Sequence, residues 1–442
     1  MGRSLLAGID AGTTSIKALL LTPDGTEVAL GRAPTRWEAT QFGAETSAEH
    51  VRDAALAALA DALRQCPEDR IAAVGVASMA ESGVLTDDSD TPLGPVIAWH
   101  DHRDEAELAD LIATIGGDRF CATTGLPLWT LWSLTKYRWL TTHLPQVRET
   151  TRRYHVAEWI VRSLGGERAS ELSLASRTGW LDLHRATAWP ESLEWSGAPR
   201  FVLADLVSAG TPLGRAATTG DLAALNGAVL TVAGHDHQVA AVALGCHRPG
   251  AEFDSCGTAE ALCRTAQPGL AQDVVLQLTR RGVTVGWHAA PNRWCLLGAT
   301  QGGLLLGKVM SALGVEPGVL AQLDRAAATA PDRPGAVTLG PTASDITIDA
   351  QATPGEVWRA ATRAVTRQAT ELAAALSAAS GPRSSLSVAG GWTHSAALMT
   401  AKSAGAEHLR LADTPEAGCR GAAIFAGLAA GAYASLDEAP TV

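Results

Sequence analysis

The sequence predicts an α/β protein built from two related domains, and three observations carry that expectation. Apolar runs of strand length alternate with amphipathic helical stretches along much of the chain. A strand–turn–strand pattern at GIDAGTTSIKALLLT (8–22) restarts at EFDSCGTAEALCRT (252–265), with Gly12-Thr13 and Gly257-Thr258 in comparable places. The 442 residues also exceed what one ordinary core organises. The restart puts the junction near residues 245–252, which gives an N-terminal domain over 1–245 and a C-terminal domain over 246–442.

Taken in order, LLAGI is a short apolar strand, DAGTTS a turn, KALLLT a second strand, PDG another turn and TEVAL a third strand. Ser47 can cap a helix running to about Cys66, with Val51, Leu56, Leu59 and Leu63 near helical spacing. AAVGVASM (72–79) reads as a buried strand that runs into the polar loop AESG. The middle, roughly 104–200, looks helical and rich in Trp, which at such spacing predicts core filling. AVLTVAG (228–234) is a further buried strand, and HQVAAVALG continues it as a helix. After the restart, TPGEVWRAATRAVTRQATELAAALSAA is a long amphipathic helix. LSVAGG follows as a strand ending in two glycines, then two helices at about 394–404 and 416–433.

Composition excludes several classes. A net charge of −11 argues against a general polyanion binder, so no nucleic-acid partner is expected. It leaves a nucleotide open, because backbone N–H groups and one magnesium ion can hold phosphates. The seven cysteines are scattered and no pair has C-x-x-C spacing, which argues against a disulfide framework or a structural zinc site. MGRSLLAGIDAG has one arginine and too short an apolar run for a secretory signal, and Leu6 stands where myristoylation needs Ser or Thr. No stretch free of Asp, Glu, Lys, Arg and His exceeds 16 residues, the length of Gly421 to Leu436. A bilayer span needs about 20. The expectation is a cytoplasmic protein with no membrane partner.

The chemistry starts at GIDAGTTSIK. A strand delivers Asp10 to a turn where Gly12 lets the backbone approach a ligand and frees successive N–H groups. Thr13, Thr14 and Ser15 add hydroxyls and Lys17 a positive charge. The set suits the β- and γ-phosphates of a nucleotide, with Asp10 placing magnesium, or else an ordinary Gly/Thr-rich hairpin turn. Its spacing fits neither a Walker A loop nor a dinucleotide fingerprint. FDSCGTAEA, with Gly257 and Thr258, could clamp the same phosphates. SVAGGWTHS offers paired glycines for a flat base, or simply a turn into a helix.

Two H-D-H trios stand apart from these, His100-Asp101-His102 and His235-Asp236-His237. Asp236 falls where a strand ends and a helix begins. There the helix dipole favours the ionised carboxylate, which could take a proton from a hydroxyl. Metal ligation by the trio is disfavoured because neighbouring side chains are expected to diverge.

The ordered set resembles the FGGY carbohydrate kinases, of the actin/hexokinase/Hsp70 superfamily of duplicated ribonuclease-H-like domains. GIDAGTTSIKA resembles the family's first phosphate motif, and IAWHDHR its W-x-D-x-R segment. GLPLWTLWSLTKYRWL and ELSLASRTGWLDL resemble its middle region, and AGHDHQVAAVALG its catalytic segment. DSCGTAEAL resembles the second phosphate motif. SVAGGWTHSAALMTAKSAGA with EAGCRGAAIFAGLAAG resembles the adenosine region and closing helix. The resemblance implies an actin-like ATPase fold with an interdomain active-site cleft and ATP-dependent phosphorylation of a sugar, sugar acid or polyol, with ketose or polyol favoured.

By this resemblance Asp236 is the general base and Asp10 helps place Mg2+. Thr13, Thr14, Ser15 and Lys17 would hold the ATP phosphates, as would Gly257 and Thr258. Gly391, Ser395 and Gly302 match positions near the adenosine. Ala80, Glu81, Trp99, Asp101 and His237 match substrate contacts. Dimers are common in that family, so a homodimer is the implied assembly. Departures fall in the specificity loops. Relatives acting on xylulose usually carry Met-His and glycerol kinases Arg-Glu, where this chain has Met79-Ala80-Glu81. His237 replaces an Asn or Gln, and no G-E-R-x-P segment lies between Thr338 and Ile348. Two other classes compete: a nucleotide-gated binding protein of the same superfamily, which has no need of Asp236 beside Glu81, and a metal hydrolase built on the trios. His235 and His102 are expected to serve local packing.

Overall fold

The computed structural model describes residues 2–340, 345–406, 408–412 and 414–442. The chain divides into two compact units. The first comprises Met1–His247, Gln267–Cys295 and Glu416–Val442, and the second Arg248–Ala266 and Leu296–Pro415. The expected cut near 245–252 therefore falls at His247, but two later segments, 267–295 and 416–442, return to the first unit.

The first unit is built on β1 (Ser4–Ala11), β2 (Ser15–Leu21), β3 (Glu27–Pro34), β4 (Arg70–Ser78) and β5 (Val229–His235), in the sheet order β5-β4-β1-β2-β3. The first three strands pair antiparallel, whereas β4 lies parallel to both β1 and β5. Central β1 is flanked on both edges, which is why SLLAGIDA is an almost unbroken buried run instead of an alternating one.

One face of this sheet is covered by α1 (Ala48–Arg64). Ser47 caps it, its Oγ accepting from the His50 N–H at 3.1 Å, and Val51, Ala55, Ala58, Leu59 and Ala62 form the buried stripe. The other face meets the closing helix, Ala417–Ala429, whose Gly418–Gly427 stretch is buried throughout. Two strand glycines make that approach feasible. A Cβ at Gly8 would overlap the Cys419 carbonyl oxygen and stand 2.5 Å from the Ala423 nitrogen, and one at Gly75 would overlap the Ala422 carbonyl oxygen. This tight seam explains why 416–442 belongs with the first unit.

The Trp-rich middle is more mixed than the helical pattern suggests. It includes the strand Arg152–His155, paired with Gly83–Thr86, among several short helices. Trp132 and Trp180 are fully buried, and Trp139, Trp159, Trp189 and Trp195 nearly so, which bears out core filling, while Trp129 is exposed.

In the second unit, five strands repeat the first unit's order. β6 (Ala251–Cys256) and β7 (Glu260–Ala266) form an antiparallel hairpin, β8 (Trp294–Thr300) lies beyond β7, and β9 (Ser385–Ala389) and β10 (Leu409–Leu411) continue parallel from β6. The order β8-β7-β6-β9-β10 matches β3-β2-β1-β4-β5, so the weak Gly-Thr echo in the sequence reports a real duplication of a ribonuclease-H-like sheet.

The long helix, α2 (Pro354–Ser380), begins with a capping box in which Thr353 Oγ1 accepts from the Glu356 N–H and Glu356 Oε2 from the Thr353 N–H. Thr353→Ala is expected to cost about 1 kcal/mol, read as a lower urea midpoint at unchanged slope. All seven cysteines are buried. Among the described residues no helix is long and apolar enough to cross a membrane. The expected gap in the G-E-R-x-P region falls partly on residues 341–344, outside the described residues.

Candidate functional site

Asp10, at the end of β1, faces Lys17 across the β1–β2 hairpin in register. The turn between them is fixed from outside. Thr35 Oγ1 donates to the Gly12 carbonyl at 2.9 Å, Trp37 Nε1 to the Thr13 carbonyl at 2.7 Å, and Trp99 Nε1 to Thr13 Oγ1 at 2.9 Å. Trp99, expected in the substrate segment, thus touches the turn expected to hold phosphates. Lys17 is paired with Glu416 at 2.9 Å, and Glu416 also binds Arg32 at 2.6 Å.

The Asp10 carboxylate is short of partners. Its Oδ1 is buried with no hydrogen bond, and its Oδ2 packs where only a glycine fits, at Gly418. Burial and the nearby Asp236 carboxylate push its pKa up, to about 7, against the pull of Lys17. An unsatisfied carboxylate oxygen of this kind fits a hard divalent cation such as Mg2+.

Asp236 opens the helix α3 (Asp236–Ala243), directly after β5. Its Oδ1 sits 2.9 Å from His237 Nδ1 and 3.2 Å from His235 Nε2. On sequence alone these side chains are expected to diverge. They do not, because the change from extended to helical backbone at His235 turns successive side chains to one side, and their ligand atoms lie within 4.8 Å of one another. Both imidazoles nevertheless spend a nitrogen on the same carboxylate oxygen. Burial works against the Asp236 charge, but His237 and His235 hold its pKa below the ordinary range, so it is ionised at neutral pH. His237 is burdened by burial yet raised by Asp236, and it is the more exposed of the two rings, at 40%.

His235 is neutral. Burial drives its pKa down to about 4, its Nε2 faces Asp236, and its Nδ1 has no hydrogen bond. The unfolded chain takes up this proton near 6.5, the fold only near 4, so the unfolded state holds more protons between those values. Stability contributed by His235 is therefore intact above pH 6.5 and falls as pH drops toward 4. His235→Gln is expected to flatten the urea-stability profile over that window, by about 1 kcal/mol per pH unit.

The remaining positions expected to meet substrate separate into two groups. Glu81 is buried and paired with Arg177, whose Nε and Nη2 reach Glu81 Oε1 at 2.7 and 2.5 Å. Burial opposes its charge, but Arg177 and His235 keep its pKa lowered. Ala80 and Asp101, by contrast, offer a ligand no free side chain. Ala80 is fully buried in the core, and Asp101 accepts from Arg103 Nε, Nη2 and N–H and from the Ala44 N–H. The W-x-D-x-R aspartate is thus a brace for its own arginine. His102 bonds Thr130 at 2.6 Å.

In the second unit, Gly257 and Thr258 form the β6–β7 turn. A Cβ at Gly303 would overlap the Gly257 carbonyl oxygen, so the helix α4, whose range is Gly302–Ala312, starts hard against that turn. Gly390, with φ +117°, likewise packs on Cys256, and nothing would obstruct a Cβ at Gly391. Gly257, Gly302 and Trp392 line one small cavity. Ser395 is fully buried, donating to Asp324 Oδ1 at 2.8 Å and capping the next helix through the Leu398 N–H, so its hydroxyl is already committed.

Sequence reasoning missed Arg177 and Glu416. Arg177 lies in ELSLASRTGWLDL, a segment noted only as a whole, and a lone Arg among Ser, Leu and Ala was the available signal. Glu416 is one residue before the closing helix, where nothing in the pattern announces a partner for Lys17.

Residues 5–243 match the family described as "FGGY family of carbohydrate kinases, N-terminal domain". The gluconokinase of Bacillus subtilis (strain 168) is 30% identical over 206 residues, 46% of this chain and 40% of that protein. The xylulose kinase of Streptomyces rubiginosus is 29% identical over 328 residues, 71% of this chain and 65% of that protein. These alignments thus span less than two thirds of either relative. The crystal structure of xylulose kinase from Rhodospirillum rubrum superposes with a TM-score of 0.88 at 24% identity, covering 99% of this chain and 93% of the other.

Proposed function

Because the chain belongs to the FGGY family of carbohydrate kinases, we propose that it transfers the γ-phosphate of ATP to a hydroxyl of a small sugar or polyol. The observation that carries this reading is the Asp236 carboxylate, held ionised by two imidazoles at a strand–helix junction and electrostatically coupled to Asp10. The relatives named for gluconate and xylulose support the same chemistry.

Asp236 takes the proton of the substrate hydroxyl as its oxygen bonds to the γ-phosphorus and the bond to the β,γ-bridging oxygen breaks, releasing ADP. A carboxylate of low basicity suffices, because phosphoryl transfer depends chiefly on positioning and charge neutralisation. His237 orients that carboxylate through Nδ1 and presents its exposed edge to the substrate. In this reading Thr13, Thr14, Ser15 and Lys17 bind the phosphates, as do Gly257 and Thr258. Gly391 leaves backbone open for the adenosine and Gly302, buried behind Glu260 and Val365, bounds the small cavity beside it, while Ser395 supports that region by capping a helix. Asp10 would hold magnesium, which supplies neutralising charge for the phosphates. Seven buried cysteines without C-x-x-C spacing suit a reducing, cytoplasmic setting.

The test is a screen of ketoses, polyols and aldonic acids with ATP and magnesium, with Asp236→Ala as control. Substrate-dependent ATP consumption that disappears in the variant supports the kinase. Equal activity in the variant excludes Asp236 as the base, whereas turnover with zinc and no ATP excludes the kinase and favours a metal hydrolase centred on the converging His235, Asp236 and His237 atoms.

A further inference from the structure

The Met79-Ala80-Glu81 loop carries no guanidinium of its own, yet Glu81 meets one. Arg177 comes from a distant segment of the same unit, two residues after the short helix Leu172–Ala175. Three anchors fix it. Its Nε and Nη2 bind Glu81 Oε1, its Nη1 donates to Thr284 Oγ1 at 2.8 Å, and it lies over the Trp132 ring, 5.2 Å from the centroid. A guanidinium so held loses little freedom when it binds a ligand.

The pair is asymmetric in a useful way. Both bonds from Arg177 fall on Glu81 Oε1, and among the described residues no other residue's donor reaches Oε2. A guanidinium has five N–H donors, and these three bonds leave about two of them. One open carboxylate oxygen therefore stands beside spare N–H groups. Ser173, in that short helix, accepts from the His235 N–H at 3.0 Å, so the segment that carries Arg177 adjoins the strand end that delivers Asp236.

We propose that Arg177 and Glu81 form a binding subsite for a vicinal diol, and that its zero net charge selects neutral polyols and ketoses over sugar acids. One substrate hydroxyl donates to Glu81 Oε2 while the neighbouring oxygen accepts from Arg177. An aldonate carboxylate would compete with Glu81 for the same guanidinium and face Asp10 and Asp236 without an unpaired cation in this pair. The inference rests on the kinase reading and deepens it by naming the substrate class.

The experiment compares C3–C6 polyols, 2-ketoses and aldonates on the full chain, with D-glucitol and D-gluconate as the matched pair. Steady-state kinetics with ATP and magnesium are read alongside equilibrium binding by intrinsic tryptophan fluorescence, which needs no turnover. The wild type is expected to bind a neutral member at least about 10-fold more tightly than the aldonate of equal length. Arg177→Met should raise the polyol KM at least about 10-fold, with kcat and the KM for ATP within about threefold. The isosteric Glu81→Gln should free the Arg177 charge and move preference toward the aldonate. Tighter binding of aldonates by the wild type, no binding of any polyol or ketose, or an Arg177→Met variant with unchanged polyol affinity overturns the subsite. Binding as expected without phosphorylation overturns the kinase reading alone.

Discussion

Asp236→Asn is expected to lower kcat by about 10³-fold, with KM for ATP and for the acceptor changed only a few-fold. The amide keeps the size of the carboxylate and can still accept from His237, so substrate positioning should survive. What it removes is a proton acceptor that His237 and His235 hold ionised against the cost of burial. A large kcat effect with little KM effect marks a group that acts in the transition state and not in ground-state binding. A fall in ATP affinity of similar size would instead mean that Asp236 serves the nucleotide. The neighbouring Asp10 makes the contrast sharper. Its pKa is pushed up toward neutrality by burial and by Asp236 itself. Removing the Asp236 charge should therefore return Asp10 toward the ordinary carboxylate range.

Gly8→Ala is expected to destabilise the first unit by about 3 kcal/mol, measured as a fall in urea midpoint. The added methyl would overlap the Cys419 carbonyl oxygen and crowd the Ala423 nitrogen. Both neighbours are backbone within the closing helix, and a helix backbone cannot step aside as a flexible side chain can. Relief requires the whole helix to lift from β1. That would expose Cys419, Ala422, Ala423 and Ala426, each now completely buried. The same lift would disturb Gly418, which packs on Asp10 Oδ2, and Glu416, which holds Lys17. Catalytic activity should therefore fall in Gly8→Ala at temperatures where most of the protein is still folded. A variant with full activity and unchanged midpoint would mean that the seam is slack.

The fold was legible where the pattern is local. β1, β2 and β5 are continuous apolar runs ended by Gly, Asp or Thr, and α2 is announced by its Thr353-Pro354 cap, so periodicity and turn chemistry sufficed. The duplication was faintly legible through Gly12-Thr13 and Gly257-Thr258, and the repeated strand order makes it plain. The membership of 416–442 was not legible, because it depends on glycines at 8 and 75 meeting a helix more than 300 residues later.

At the site, Asp10 and Asp236 could be found from the strand ends that carry them. The partners could not. Arg177, Arg103 and Glu416 neutralise Glu81, Asp101 and Lys17 across sequence separations of 96, 2 and about 400 residues. Only the Arg103 pairing is local enough to be guessed. The expectation that the His235-Asp236-His237 side chains diverge failed because it assumed one regular backbone, whereas the trio straddles a strand end and a helix start.

The central claim is that this chain moves a phosphoryl group from ATP to a small-molecule hydroxyl with Asp236 as base. Phosphorus-31 NMR of a reaction containing the preferred acceptor, ATP and magnesium reads both products at once. The expected result is a phosphate monoester signal that grows in step with ADP for the wild type and is about 10³-fold slower for Asp236→Asn. Inorganic phosphate in place of the ester, or an ester formed equally fast by the variant, would contradict it.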